Sequence, residues 1–407
     1  MSTVPFIRTN AKWLSVGVLL TFLSSFGQTF FISLFAGHIQ NAFDLSHGTW
    51  GGIYTVGTGA SAIVMVWAGG LCDHFKARIL GPIMIISLAA ACTFMAVNPV
   101  WWGLFAVIFL LRFTGQGMMS HIAMVAMSRW FTANRGKAIS IATLGFGFGE
   151  ALLPITFVAL MAVIDWRLLW IVGAVILVIG VPVLLSLLRK ERTPQSIAAQ
   201  SQAFGMEGRH WTRNQAVSHW LFWLMVPGLL GPSAFQTAFF FHQVHFAKIK
   251  QVSHAELVAM YPIYTVVAIL AMVVSGWGLD RYGTARLLPF SQIPMVLAFL
   301  SFAYAGSIWA LLLGLIFLGL NAGFNVTLPT AFWSEFYGTG NLGEIKALGT
   351  SIMVLGSAIG PGLTGLGIDL GLGLEHQYII IAGFFIIASV AMLIGVMRAR
   401  PMLPATS

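Results

Sequence analysis

The feature that most constrains this chain is a series of apolar runs, each about twenty residues long and nearly free of charged residues. A bilayer offers the backbone no hydrogen-bond partners, so such a run crosses it as a helix of roughly 20 residues. The sequence therefore predicts an all-α integral membrane protein. We expect twelve spans, at residues 14–36, 50–71, 79–97, 102–127, 138–162, 168–188, 218–241, 256–278, 287–305, 308–332, 347–368 and 378–397.

The composition excludes a soluble domain. Apolar residues make up 58% of the chain and charged residues only 8%, with a mean hydropathy of +0.88. A soluble domain carries roughly 25% charged residues. The first apolar run exceeds the roughly 7–15 residues of a signal-peptide core, so we expect it to be retained as the first helix.

The net charge of +9 indicates membrane orientation rather than nucleic-acid binding, because the basic residues are scattered over short loops. With both termini in the cytoplasm, every lysine and arginine lies inside except Arg112, within the membrane, and Arg167, Lys248 and Lys250, outside. This asymmetry follows the positive-inside rule. We expect a multi-pass protein of the cell inner membrane, working as a monomer without a nucleic-acid partner.

One long polar stretch interrupts the apolar pattern. Residues 189–217 hold several basic residues and a proline, Pro194, which is typical of a connecting segment. We expect a cytoplasmic linker there, between an N-terminal six-helix half at residues 1–188 and a C-terminal half at residues 218–407.

A glycine-containing turn follows two of the apolar runs, 207 positions apart. The first copy carries Asp73 and Arg78, and the second carries Asp280, Arg281 and Arg286. Repeated halves are typical of many secondary transporters. An aspartate at a helix end beside arginines can form a charge cluster that locks one state, so we predict gating by these five residues. The alternative is that both aspartates only fix the geometry of the loop.

These twelve segments, two halves and repeated turns together resemble the major facilitator superfamily (MFS) over the whole chain. The first turn departs from that family's pattern at His74 and Lys76, whereas the second matches it better. The family's glycine-rich helices 5 and 11 and the arginine of its helix 4 are matched by Gly145, Gly147, Gly149, Gly356, Gly360, Pro361, Gly362 and Arg112. The resemblance implies the MFS fold, with two pseudo-symmetric six-helix halves and alternating access.

A second repeat joins the predicted helices 1 and 7. Gln28 and Thr29 stand in a Phe-Gly-Gln-Thr-Phe-Phe run, and Gln236 and Thr237 stand in a similar run 208 positions later. The resemblance implies that these helices border a central cavity, so we expect all four residues to bind substrate. An amide in hydrocarbon needs a partner, and the alternative is a hydrogen bond between helices.

Helices 4, 8 and 10 supply the remaining predicted substrate contacts. On helix 4, an α-helical spacing puts Arg112 and Gln116 on one face and His121 on the opposite face. The repeat pairs Arg112 with Asn321 on helix 10. The other candidates near the cavity are Asn325, Tyr261 and Tyr264.

Glu150 is the only carboxylate deep within any predicted span. Helical rise places it at a depth similar to that of Arg112. An ionisable pair inside a membrane is a functional hypothesis by default. We therefore predict that Glu150 and Arg112 couple transport to protons, and the alternative is a static bridge between helices 4 and 5.

Amides, aromatic rings and one arginine suit a flat polar organic solute. The chain also resembles a bacterial branch of the superfamily that contains riboflavin importers and a copper importer. In the copper importers the marks are Met-x-x-x-Met in helix 7 and His-x-x-x-Met in helix 8, and neither spacing occurs in this chain. We expect import of a small polar-aromatic nutrient, with riboflavin as the specific candidate and without a cofactor or bound metal.

Two other functions remain open at this stage. Copper import is one alternative, and proton-coupled export of small organic compounds is another. An integral membrane enzyme is not supported, because no catalytic triad, nucleotide-binding loop or zinc-protease motif is evident.

Overall fold

A computed structural model describes residues 3–131, 135–189, 204–338 and 340–403, and every regular element among them is helical. Eleven helices are long and apolar enough to cross a membrane, and a bent pair makes up to twelve. The prediction of an all-α membrane protein is therefore confirmed. The spans are α1 (Phe6–Gly27 and Thr29–Phe43), α2 (His47–Ala68), α3 (Ala77–Val97), α4 (Gly103–Trp130), α5 (Gly136–Met161), α6 (Trp166–Leu187), α7 (Trp220–Phe241), α8 (His254–Leu279), α9 (Thr284–Tyr304), α10 (Ile308–Tyr337), α11 (Glu344–Asp369) and α12 (Leu374–Met402).

The first span is broken, whereas the sequence predicted a continuous helix over residues 14–36. Gln28 is extended, with φ −84° and ψ 153°, and the two pieces of α1 meet at an angle of 43°. The break falls where α1 touches α4. A Cβ on Gly27 would lie 2.2 Å from the carbonyl oxygen of Leu111 and 2.8 Å from the Cα of Gly115.

The fourth span is not a regular α-helix either. Residues Arg112–Met119 form a π-helical stretch in its middle. A π-helix carries i→i+5 hydrogen bonds, and such bulges occur frequently at functional sites. The α-helical spacing used to place Gln116 and His121 relative to Arg112 is therefore wrong over this stretch.

The chain divides into two compact units, Met1–Gln200 and Ser201–Ser407. Within the first unit the main helix pairs are α1 with α5, α2 with α4, and α3 with α6. Within the second unit they are α7 with α11, α8 with α10, and α9 with α12. Each pair in the second unit lies six helices after its counterpart, so the sequence repeat corresponds to a repeated packing pattern.

Small residues make the closest of these contacts. A Cβ on Gly145 of α5 would lie 2.2 Å from the carbonyl oxygen of Val18 on α1. A Cβ on Gly360 of α11 would likewise lie 2.2 Å from the carbonyl oxygen of Ala234 on α7. In membranes, small residues allow helix backbones to approach closely. The glycine-rich character of helices 5 and 11 thus has the same packing cause in both units.

The second unit begins before α7. Residues 204–217, which the sequence assigned to the linker, pack on the end of α10. Trp211 is 3% exposed, its N–H donates to the carbonyl of Tyr337 at 3.0 Å, and its carbonyl accepts from Asn341 at 3.0 Å. Apolar burial of Trp211 and Met206 stabilises this packed segment. Residues 190–203 of the predicted linker lie outside the described residues.

Candidate functional site

A buried polar cluster joins α1, α2 and α4 of the first unit. Nη1 of Arg112 donates to the carbonyl oxygen of Gly27 at 3.3 Å and to Oγ1 of Thr29 at 3.2 Å. The hydroxyl of Thr29 also hydrogen-bonds the hydroxyl of Tyr54. The guanidinium carbon of Arg112 lies 5.3 Å from the centre of the Tyr54 ring. One cationic side chain therefore bridges the break in α1.

The break explains the first of these bonds. At Gln28 the helix is interrupted, and the N–H groups of Phe31 and Ile32 both bond to the carbonyl of Gln28. The carbonyl of Gly27 instead accepts from Arg112. A backbone carbonyl within a bilayer must have a donor, so Arg112 stabilises the interrupted helix while its charge stays buried.

Gln28 itself is half-buried at the break. Within the described part of the chain, its side-chain amide makes no hydrogen bond. Gln116, on the π-helical stretch of α4, is also half-buried. An amide has two donor hydrogens and a carbonyl acceptor, so Gln28 and Gln116 retain the capacity to bind a polar ligand.

Glu150 is half-buried on α5 and has an interaction partner. The hydrogen bonds of Arg112 go to Gly27 and Thr29. The static Glu150–Arg112 bridge considered from the sequence is therefore not the arrangement in this structure. The reason is that the break in α1 offers Arg112 a backbone carbonyl that needs a donor.

The second unit holds its own amide and phenol pair. Nε2 of Gln236 on α7 donates to the hydroxyl of Tyr264 on α8 at 2.6 Å. Tyr264 is 2% exposed, whereas Gln236 and its neighbour Thr237 are half-buried. The Phe240 ring packs edge-on against Tyr264, with centroids 5.5 Å apart. Gln236 thus keeps its carbonyl oxygen as an acceptor beside aromatic rings.

Tyr261 belongs to a different cluster, at the end of α7. Its hydroxyl donates to Oε1 of Gln243 at 2.5 Å, and both residues are fully buried. The ring of His254 lies 3.4 Å from the same Gln243 oxygen. The structure therefore does not bring Tyr261 into the Gln236–Tyr264 pair, although both tyrosines pack against Phe240.

Asn321 and Asn325 form a chain of hydrogen bonds on α10. Nδ2 of Asn321 donates to the carbonyl of Ser291 at 2.7 Å, and its Oδ1 accepts from Asn325 at 2.6 Å. Asn321 is fully buried, so it holds α10 against the start of α9. Asn325 is half-buried and is the more accessible of the two.

Tyr54 is a residue that the sequence reasoning missed. It stands about 210 positions before Tyr264, close to the offset that relates Gln28 to Gln236. In both units this tyrosine, on the second helix of the half, hydrogen-bonds a residue of the Gln-Thr pair on the first helix. The repeat used for the glutamines would have identified Tyr54 if it had been extended to α2 and α8.

The predicted gating residues lie at helix ends, and the structure describes the side chains of the three arginines among them. Arg78, Arg281 and Arg286 are exposed, and the side chains of Asp73 and Asp280 lie outside the described residues. The first turn has one contact that the sequence did not predict. Nη1 of Arg129, at the end of α4, donates to the carbonyl of Cys72 at 2.6 Å.

Across the described ranges, no group of three or more histidine, cysteine, aspartate or glutamate side chains is placed to hold a metal ion. His242 lies 3.0 Å from the carbonyl oxygen of Pro361 and is 3% exposed, which is typical of a helix-contact histidine.

Comparison with known proteins shows the family. The sequence profile of the Major Facilitator Superfamily matches residues 17–361 and 244–406. A bacterial homolog to the human lysosomal transporter Spinster, in an inward-facing and unoccupied conformation, has a similar fold. Its TM-score is 0.73 at 14% identity, over 98% of this chain and 99% of that chain.

The nucleoside transporter NupG is similar as well. Its TM-score is 0.69 at 16% identity, over 97% of this chain and 99% of that chain. No curated protein matches the sequence. Likeness at these identities shows the fold, and the profile match, which spans most of the sequence, shows the family. The chain belongs to the Major Facilitator Superfamily and is a multi-pass secondary transporter, not an enzyme.

Proposed function

We propose that this transporter imports a small, flat, polar-aromatic nutrient, with riboflavin as the specific substrate. The observation that carries the proposal is the repeated glutamine and tyrosine arrangement. Gln28 makes no side-chain hydrogen bond to the described residues and stands at a break in its helix, while Gln236 is oriented by Tyr264 at 2.6 Å. Each unit thus holds a glutamine amide that can hydrogen-bond a polar solute.

The chemistry of these side chains fits a flavin ring. Its edge alternates carbonyl acceptors with an N–H donor, and a glutamine amide offers both complementary groups. Its faces are apolar and suit contacts with aromatic rings, and the Phe240 ring packs next to the Gln236–Tyr264 pair. The fold is shared with the nucleoside transporter NupG, and a nucleoside also combines a flat heteroaromatic ring with polar edges.

We further propose that Glu150 couples import to protons. It is a half-buried carboxylate within α5, a helix that is long and apolar enough to cross the membrane. In the same proposal, Asp73 and Asp280 with their neighbouring arginines gate the transporter. The protein works as a monomer in the cell inner membrane with both termini in the cytoplasm, in accordance with the distribution of basic residues.

Uptake of labelled riboflavin tests this function. Cells that lack riboflavin synthesis and transport would express the chain, with an empty vector as the control. Saturable uptake that unlabelled riboflavin competes away is the expected result. Membrane-inserted protein without riboflavin uptake would overturn the proposal. Copper accumulation in the same cells, or export of a preloaded organic dye, would then identify which alternative holds.

A further inference from the structure

Within the described part of the chain, Arg112 donates hydrogen bonds from only one of its three guanidinium nitrogens. Both of its bonds leave from Nη1, to the carbonyl of Gly27 and the hydroxyl of Thr29. Nε is buried, and no group in the described part of the chain accepts a hydrogen bond from it. The whole residue is 2% exposed, so this N–H is desolvated without compensation.

The charge of Arg112 is also uncompensated. Its two acceptors are neutral, and its other polar contact is the face of the Tyr54 ring, at 5.3 Å. Among the described residues, no carboxylate forms an ion pair with it. A buried cation is normally paired or bound to a ligand, because desolvation of an isolated charge is costly.

The edge of the guanidinium that carries Nε and Nη2 has a geometry that suits a particular kind of ligand group. In a planar guanidinium, Nε–H and one N–H of Nη2 point in the same direction and match two adjacent acceptor atoms in one plane. Because Nη1 is fixed by Gly27 and Thr29, the direction of this Nε–Nη2 edge is fixed as well. Thr29 and Tyr54 therefore act as positioning residues for the edge.

We propose that the Nε–Nη2 edge of Arg112 is a substrate subsite for a planar group that carries two adjacent acceptors. A carboxylate has this chemistry, and so does a ring carbonyl beside an unprotonated ring nitrogen. The inference rests on the proposed function in that the ligand is a small organic solute, and it adds the group by which that solute is recognised. Nε is covered in this structure, so the subsite forms when the packing around Arg112 opens.

Binding measurements with matched ligands test the subsite on the purified full-length protein. The first set is riboflavin with its 1-deaza and 5-deaza analogues, each of which replaces one ring nitrogen by a CH group. The second set is 4-aminobenzoate with 4-aminobenzamide, in which an NH₂ donor replaces one carboxylate oxygen. Affinities would be measured by calorimetry for the wild type, Arg112→Lys and Arg167→Lys.

Arg167→Lys is a matched control, because it also replaces a planar guanidinium group by an ammonium group. Nη1 of Arg167 also donates to two backbone carbonyls, of Ala96 and Asn98, at 2.9 and 2.8 Å. It also lies over an aromatic ring, that of Trp166, at 4.7 Å. It lies at the start of α6, away from the α1 break, so its replacement should leave ligand discrimination unchanged.

In at least one set, the wild type should bind the ligand with both acceptors at least about tenfold more tightly than its partner. Arg112→Lys should reduce this ratio to about one, because an ammonium group lacks two parallel N–H donors in one plane. Equal binding within both sets, no binding of any ligand, or an unchanged ratio in Arg112→Lys would overturn the subsite. Discrimination confined to the benzoate set would retain it and reject riboflavin.

Gel filtration would show whether Arg112→Lys is folded. If it is not, Thr29→Val replaces it, since this variant removes one of the two acceptors that orient Nη1. The wild-type ratio should then fall by several-fold with Arg112 still present. An unchanged ratio in a folded Thr29→Val variant would contradict the positioning role.

Discussion

The hydroxyl of Tyr54 hydrogen-bonds that of Thr29, and this contact ties α2 to the broken first span. Thr29 simultaneously accepts from Arg112. In the second unit, Tyr264 accepts from Gln236 in the corresponding pair of helices. The two units thus use one tyrosine position for different partners, the threonine in the first and the glutamine in the second. This difference leaves the amide of Gln28 available and orients that of Gln236.

Removing the hydroxyl of Tyr54 should destabilise the first unit. Tyr54→Phe keeps the ring next to Arg112 but deletes the hydrogen bond to Thr29. Tyr54 is fully buried, so this bond is shielded from water. A loss of about 1 kcal/mol is expected, measured as a lower unfolding temperature in detergent. Tyr304→Phe is the control because Tyr304 is 73% exposed. Equal unfolding temperatures for both variants would contradict the role of this bond.

Replacing Glu150 by glutamine should flatten the pH dependence of uptake. Glutamine has nearly the same shape, but it cannot release or take up a proton. Initial uptake rates between about pH 5.5 and 8 provide the measurement, with the pH optimum expected to disappear. The matched control is Glu344→Gln, at an exposed carboxylate near the start of α11. If Glu150→Gln kept both the rate and the wild-type pH profile, proton coupling through this residue would be wrong.

An alanine at Gly145 should separate α5 from α1. Its Cβ would lie 2.2 Å from the carbonyl oxygen of Val18, a backbone atom that cannot rotate away. Overpacking of this kind costs about 1–3 kcal/mol, seen as reduced thermal stability and reduced yield of folded protein. Gly136→Ala on the same helix is the control, since nothing lies within 4 Å of its added Cβ. A Gly145→Ala variant as stable as Gly136→Ala would show that the helices are not in close contact.

Acid should weaken the docking of residues 204–217 through His219. Burial lowers the pKa of His219 from 6.5, Glu207 raises it and Arg209 lowers it. Because the folded-state pKa is below the unfolded value, the folded state prefers the neutral ring. Its contribution to stability is complete above about pH 6.5 and is lost as the pH falls toward the folded-state pKa.

The measurement is the unfolding temperature of the wild type and His219→Gln between about pH 7.5 and 5. The wild type should lose more stability than the variant over this range. The effect is small because His219 is half-exposed. Parallel curves for the two proteins would show that His219 does not contribute.

The spans were predictable because hydropathy depends on about twenty residues at once, and a bilayer permits little besides helices. The break at Gln28 was not predictable, because it lies within an apolar run and depends on the contact between Gly27 and α4. The π-helical stretch after Arg112 was hidden for a similar reason. An α-helical periodicity was assumed there, whereas the hydrogen bonds over Arg112–Met119 follow the i→i+5 pattern of a π-helix. The ordering of Trp211 on Tyr337 depends on a distant helix end.

The candidate site was predictable where the two halves of the sequence carry similar residues in the same order. Gln28 and Gln236 came from similar runs. Tyr54 and Tyr264 stand in identical Ile-Tyr-Thr-Val runs 210 positions apart, so Tyr54 was predictable from the same repeat, which the sequence reasoning did not extend to these helices. The partners of Arg112 were not predictable, because a carbonyl becomes an acceptor for a side chain only where its helix is interrupted.

Riboflavin uptake by Gln28→Ala, Gln236→Ala and the double variant tests whether these two amides bind the substrate. Gln40→Ala, further along α1 and bonded to His47, is the matched control. All variants would first be shown by gel filtration to be folded. If they do, each single variant should raise KM several-fold, the double variant should lose saturable uptake, and Gln40→Ala should keep wild-type kinetics. Wild-type uptake by a folded double variant would show that the two glutamines do not bind riboflavin.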